Sequence, residues 1–185
     1  MTIRYTARDG GQPFADAVTA SAKSQLKSIA LAESRKGLYR LFSARQEYGS
    51  NWARFLNPAS GNDQVLAIDT AAERFAFFTH GMQIKIMGID VFSRTADSSD
   101  FNLVITPPKG TAQTVAFSAD PQLNDLHHWT PTSFTPVPLG STPTPAGTAP
   151  PVWTIKLQKG HATDFRSLTP ADLDDIILVL AYQAL

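Results

Sequence analysis

Gln83-Ile84-Lys85-Ile86-Met87-Gly88-Ile89-Asp90-Val91-Phe92 decides how this chain folds. Ile84 and Ile86 alternate with Lys85, so apolar side chains recur every second residue, the period of a half-buried strand. The same period begins near residue 64. Val65 and Ala67, with Leu66 and Ile68 opposite, open it, and Arg74-Phe75-Ala76-Phe77-Phe78 continues it. Asn102-Leu103-Val104-Ile105-Thr106 predicts another strand, stopped by Pro107-Pro108. Thr114-Val115-Ala116-Phe117 and Val152-Trp153-Thr154-Ile155-Lys156-Leu157 predict two more. Clusters of Pro, Gly, Asp and Ser separate these runs, and short strands so punctuated predict an antiparallel β-sandwich.

Upstream the spacing is helical. From Pro13 to about Leu31, Ala15, Val18, Ala22, Leu26 and Ile29 fall on one helix face, and Pro13 suits a first turn. Leu38, Leu41, Phe42, Arg45, Trp52, Phe55 and Leu56 predict two short helices broken around Gly49-Ser50-Asn51. Ser50 or Asn51 caps the second, with Trp52 and Phe55 on one face. Val18, Leu26, Leu41, Phe42, Trp52 and Phe55 form a stripe that needs covering, so these helices are expected to pack on the sandwich. The expected class is therefore α+β, mainly β: a single domain over residues 1–185, with a helical insertion of two or three helices over about 13–57, after a first strand.

That first strand is Thr2-Ile3-Arg4-Tyr5-Thr6-Ala7-Arg8-Asp9-Gly10-Gly11, and it echoes the closing Ile176-Ile177-Leu178-Val179-Leu180-Ala181-Tyr182-Gln183-Ala184-Leu185. Either the two complete one sheet, or the segment belongs to something longer. Between Pro131 and Pro151 the Pro, Thr and Gly content predicts an exposed loop of polyproline character, without ladder or helix. Leu168-Thr169-Pro170-Ala171-Asp172-Leu173-Asp174-Asp175 predicts a capped helical turn, with Thr169 at the N-cap, Pro170 next and the acids in the first turn.

Composition narrows the function. The 185 residues give room for one proper core. Formal net charge is zero, which argues against the clustered Lys and Arg of a nucleic-acid footprint. Cysteine is absent, which excludes disulfides and thiolate metal sites but fixes no compartment. The charged, turn-rich Arg8-Asp9-Gly10-Gly11 stands where a signal peptide would be apolar, and no run approaches the roughly 18 apolar residues of a membrane helix.

Site chemistry is sparse. His127-His128-Trp129, with Asp120 and Asp125 nearby, is the first candidate for a metal or a base. Neighbouring histidines in a strand point to opposite faces, which predicts structural or solvated roles. His80 and His161 each adjoin a glycine at an expected turn. Asp172, Asp174 and Asp175 are explained by a helix N-terminus, and Asp97-Ser98-Ser99-Asp100 by a turn, with calcium second. There is no phosphate-binding glycine loop and no Gly-x-Ser-x-Gly elbow, and Ser43, Ser50 and Ser93 suggest no nucleophile. No catalytic, cofactor or metal residue is assigned, and no interface residue either. Phe75, Phe77, Phe78, Phe92, Phe101, Phe117, Trp129 and Trp153 are expected mostly in the core, with a sugar-stacking platform as the alternative.

Arg4-Tyr5-Thr6-Ala7-Arg8-Asp9-Gly10-Gly11 and Leu41-Phe42-Ser43-Ala44-Arg45-Gln46-Glu47-Tyr48, followed by Trp52-Ala53-Arg54-Phe55-Leu56, resemble blocks near the C-terminus of the A subunit of Tc insecticidal toxin complexes. Glu73-Arg74-Phe75-Ala76-Phe77 and Leu173-Asp174-Asp175-Ile176-Ile177-Leu178-Val179-Leu180-Ala181-Tyr182 are similar in order and spacing. The chain departs from that pattern at Tyr48-Gly49-Ser50 and in the Pro/Thr-rich stretch. The resemblance implies the B-subunit-binding domain of a secreted, pore-forming toxin subunit. Five A subunits would form the translocation channel, and this domain would dock the β-propeller of the B–C cocoon without catalysis or membrane insertion of its own. Two other readings stand beside it: a carbohydrate- or receptor-binding β-sandwich, and a metal-dependent enzyme around His127 and His128.

Overall fold

The structure, a computed structural model, describes residues 37–60, 62–95, 100–141, 146–157 and 168–185, with Gln12, Asp16, residues 19–22, Ser24 and Gln25. The expected strand at residues 2–11, Ala15, Val18, Leu26, Ile29, residues 97–99 and His161 lie outside the described residues. The described positions between 12 and 25 are helical and exposed, Ala22 included, and Gln12 Nε2 donates to Asp16 Oδ1 over 2.8 Å.

The described chain is mainly β and antiparallel. Its strands are β1 (Leu38–Ser43), β2 (Val65–Asp69), β3 (Gln83–Thr95), β4 (Phe101–Thr106), β5 (Gln113–Asp120), β6 (Leu126–Trp129), β7 (Val137–Ser141), β8 (Val152–Leu157) and β9 (Leu173–Ala184). They run as one curled sheet in the order β1-β9-β3-β6-β5-β4-β8-β2, with β7 on β3. A sandwich would divide these strands between two sheets. Here β5 joins them, pairing with β4 through Gln113 to Phe117 and with β6 through Ser118 to Asp120.

β3 is the spine, lying along β9 from Ile84 to Thr95. Its buried residues are Ile84 and Ile86, then Ile89, Val91 and Ser93. The phase changes because the register passes from Ile86 opposite Tyr182 to Gly88 opposite Ala181, leaving Met87 as the extra residue of a bulge. Were Met87 paired as an ordinary ladder residue, one half of β3 would turn its isoleucines outward. The inward faces of both arms of the sheet contribute to one core, whose largest fully buried side chains include Trp153, Phe42, Phe55 and Phe117.

Two short helices follow β1: α1 (Ala44–Glu47) and α2 (Gly49–Leu56). They pack on the core as expected, with Trp52 and Phe55 stacked at 5.6 Å. They break at Tyr48, which starts α2 without a side-chain cap, so neither Ser50 nor Asn51 caps it. Asn51 instead donates through Nδ2 to Ala67 O over 2.9 Å, and the Tyr48 hydroxyl donates to Asp69 O. Both acceptors lie on β2, at one end of the sheet. The helices thus satisfy carbonyls that an edge strand would leave open.

Four local expectations are corrected. Residues 38–43 form a strand, because Phe42 faces the core while Tyr39 and Leu41 on the other face are 68% and 48% exposed, a period of two secured by β9. Leu41 therefore leaves the core stripe. Residues 74–78 form no strand: Ala72–Arg74 and Phe77–Thr79 are 3₁₀ turns. A strand would put Phe75 and Phe77 on one face, yet Phe75 is buried 4.8 Å from the Tyr182 ring and Phe77 is 73% exposed. The Pro/Thr-rich stretch does hold a ladder, β7, whose Val137 is buried and whose Pro138 sits at a register break opposite Lys85. The segment before β9 is a single turn with a Thr169–Asp172 capping pair, and Asp174 and Asp175 are strand residues because β9 pairs with β3 from Leu173 onward.

Candidate interaction surface

β9 carries apolar residues on both faces. Ile176, Leu178, Leu180 and Tyr182 are buried inward, while Ile177 and Val179 point to the other side. On that outer side Leu41 lies opposite Val179, and Phe92 lies between Ile177 and His128 in the ladder. Leu41, Phe92, Leu126, Ile177 and Val179 line a groove of about 420 Å³, with Arg94, Asp174 and Asp175 also on its wall. Five large apolar side chains on a solvated sheet face mark a surface that gains free energy when covered.

The two adjacent histidines divide as their strand geometry requires. His127 is fully buried between Phe101 and Phe117, at 5.4 and 5.8 Å, and its Nδ1 is 3.2 Å from Thr95 Oγ1. His128 faces outward and stacks on Phe92 at 4.4 Å. Asp90 Oδ1 is 3.6 Å from His128 Nε2, and Thr130 Oγ1 is 2.9 Å from the same nitrogen. A nucleophile–histidine–carboxylate relay needs the two partners on opposite ring nitrogens, and these share one. Thr130 also donates to Asp90, which closes a polar triangle at the edge of the apolar face. Among the described residues no group of three His, Asp or Glu side chains is arranged to hold a metal ion.

The remaining acids and serines are tied to structure. Asp175 accepts from Ser43 Oγ at 2.5 Å and from the Arg45 amide at 2.9 Å, so it serves the start of α1 from across the sheet. Ser43 Oγ in turn accepts from the Gln46 amide, and Ser93 Oγ donates to Asp175 O. Sequence reading missed this cluster because Asp175 lies 82 residues or more from Ser93, Arg45 and Ser43. His80 is exposed in a turn, and Asp120 caps the 3₁₀ turn Pro121–Leu123. Of the aromatics, Phe75, Phe101, Phe117 and Trp153 are buried, while Phe78 and Trp129 are partly so.

Burial pushes the Tyr48 phenol well above its ordinary value, against the pull of the Arg74 guanidinium 4.8 Å over its ring. Burial raises Tyr182 as well, and a backbone hydrogen bond at Ala76 opposes it. Both tyrosines belong to the aromatic chain Tyr48–Phe42–Phe75–Tyr182 that packs the strand β1 onto its surroundings. Arg40 stands 4.4 Å over Phe42 and pairs with Glu47 at 2.6 Å, which covers this cluster from solvent.

No helix among the described residues is long and apolar enough to cross a membrane. No family model matches this chain, and no curated protein matches it either.

Proposed function

We propose that this chain is a non-catalytic protein–protein assembly module that docks a larger subunit onto its partner through the outer face of β1, β9, β3 and β6. The observation that carries this is the apolar groove of Leu41, Phe92, Leu126, Ile177 and Val179, on a sheet face whose opposite side already fills the core. The resemblance of its sequence blocks supplies the partner in this reading: the β-propeller of a Tc toxin B–C cocoon, met by the pore-forming A subunit. The mixture of apolar centre with Arg94, Asp90 and His128 beside it suits a protein interface better than a lipid surface. Size-exclusion chromatography with light scattering tests the reading, on the chain alone and mixed with a cognate B–C cocoon. A co-eluting complex that Leu41→Glu abolishes supports docking through this face. Absence of a complex with a full-length pentameric A subunit carrying Leu41→Glu and with wild type alike would sink the partner assignment, and an intact complex with the variant would sink the face.

A further inference from the structure

A second hollow lies beyond the polar edge of the outer face, where the ladder between β5 and β6 opens. Pairing runs from Asp120 opposite Leu126 to Ser118 opposite His128 and stops. Continuing that register would set Val115 opposite Pro131 and Gln113 opposite Ser133. Pro131 has no N–H to give, so the strands part there, and β5 keeps only its β4 partner over Gln113 to Phe117. The gap is an open cleft of about 210 Å³ between residues 113–115 on one wall and residues 129–133 on the other. Among the described residues no backbone hydrogen bond crosses it.

The chemistry of the walls is neutral throughout. Gln113, Thr114, Thr130, Thr132 and Ser133 bring amide and hydroxyl groups that both donate and accept, and Trp129 adds an indole. Thr130 is oriented by its bonds to Asp90 and His128. Main-chain N–H and C=O groups freed by the opened ladder add to the polar edge. No charged residue lines the cleft, which disfavours ions. Amide and hydroxyl groups beside one partly exposed indole match a ring with hydroxyls at its rim and C–H groups on its face. We propose that this cleft binds a neutral polyhydroxylated ring, a pyranose, with Trp129 as the stacking platform and Gln113 and Thr132 as hydrogen-bonding partners. An extended peptide added to the free edge of β5 is the competing occupant, and the volume of the cleft favours the smaller ligand.

The test is an amide-resolved NMR titration of the full chain with methyl glycosides of glucose, galactose, mannose and N-acetylglucosamine at millimolar concentration. The free reducing sugars form a parallel arm that separates a glycan end from a soluble sugar. The expected result is saturable shifts at residues 113–115 and 129–133 with at least one glycoside. Affinity should then fall about tenfold in Gln113→Ala and in Thr132→Val, each worth one lost hydrogen bond of roughly that size. Both substitutions lie on exposed positions, so the unliganded spectra confirm folding independently. No shift with any sugar overturns the proposal. So does slowed amide exchange at Val115 and Phe117 with an extended Thr-Val peptide when the sugars leave the cleft unmoved, which assigns the opening to strand addition.

Discussion

The Arg45 amide donates to Asp175 Oδ1 over 2.9 Å, so a strand residue caps a helix 130 positions earlier in the chain. The same carboxylate accepts from Ser43 Oγ, itself the N-cap of α1. A hydrogen bond to a charged acceptor contributes about 1.5–3 kcal/mol, and a lost partner leaves the donor unsatisfied. Asp175→Ala is therefore expected to lower the urea-unfolding free energy by about 2–3 kcal/mol, and Asp175→Asn by less, since the amide oxygen still accepts. Ser43→Ala should cost about 1 kcal/mol, the usual loss of an N-cap. Equal stability of wild type and Asp175→Ala in urea titrations would refute the link.

The bulge at Met87 makes a second expectation. Met87 is 36% exposed and unpaired, so Met87→Ala should change stability by less than about 0.5 kcal/mol, like other surface substitutions. Deleting Met87 removes the extra residue, so Gly88 opposite Ala181 follows directly on Ile86 opposite Tyr182, and Ile89 and Val91 keep their inward phase. The deletion is therefore expected to leave a folded chain that unfolds cooperatively, read by near-ultraviolet circular dichroism. Loss of cooperative unfolding on deletion would show that the ladder with β9 depends on Met87 itself.

Much of the sheet is legible in sequence because its inward residues alternate: Ile84 and Ile86, Leu103 and Ile105, Trp153 and Ile155. Where both faces are apolar the period vanishes, and Leu38-Tyr39-Arg40-Leu41-Phe42 then passes for a helix stripe. Only β9, far away in sequence, makes it a strand. Pro138 hid β7 for a related reason, since proline denies a strand by propensity but not at a short pairing with a register break. Phe75 and Phe77 mimic alternation although one is buried and the other exposed, a difference fixed by Tyr182 rather than by spacing. The histidine pair was readable, because opposite faces follow from strand geometry alone. The outer groove was not, since it takes Leu41, Phe92, Leu126 and Ile177 from four strands.

Alkaline stability follows from the tyrosines. Burial raises Tyr48 and Tyr182 above the ordinary value of 10.0, so the folded state favours their neutral forms. The unfolded chain ionises first, at about pH 10, and the stability these groups contribute is present below that pH and lost as pH rises above it. The urea midpoint should accordingly be flat near neutrality and fall above about pH 10. Tyr48→Phe removes one of the two titrations and the bond to Asp69 O. It is expected to lower stability by about 1 kcal/mol at pH 7 and to flatten the alkaline fall. An unchanged alkaline slope in Tyr48→Phe would place the loss on other groups.

Leu41 and Val179 face each other across the outer ladder, and their exposure separates folding from binding. Leu41 is 48% exposed, so Leu41→Glu gives up little burial and should shift the folding free energy by less than about 0.5 kcal/mol. At a docked interface the same glutamate would be desolvated without a partner, which costs several kcal/mol and hundreds-fold in affinity. Leu178→Glu, one position along the same strand pair but fully buried, should do the reverse and unfold the chain. The contrast is read by measuring thermal unfolding and cocoon binding on the same preparations. If Leu41→Glu binds as tightly as wild type while remaining folded, the outer face is free in the complex and docking must run through another surface.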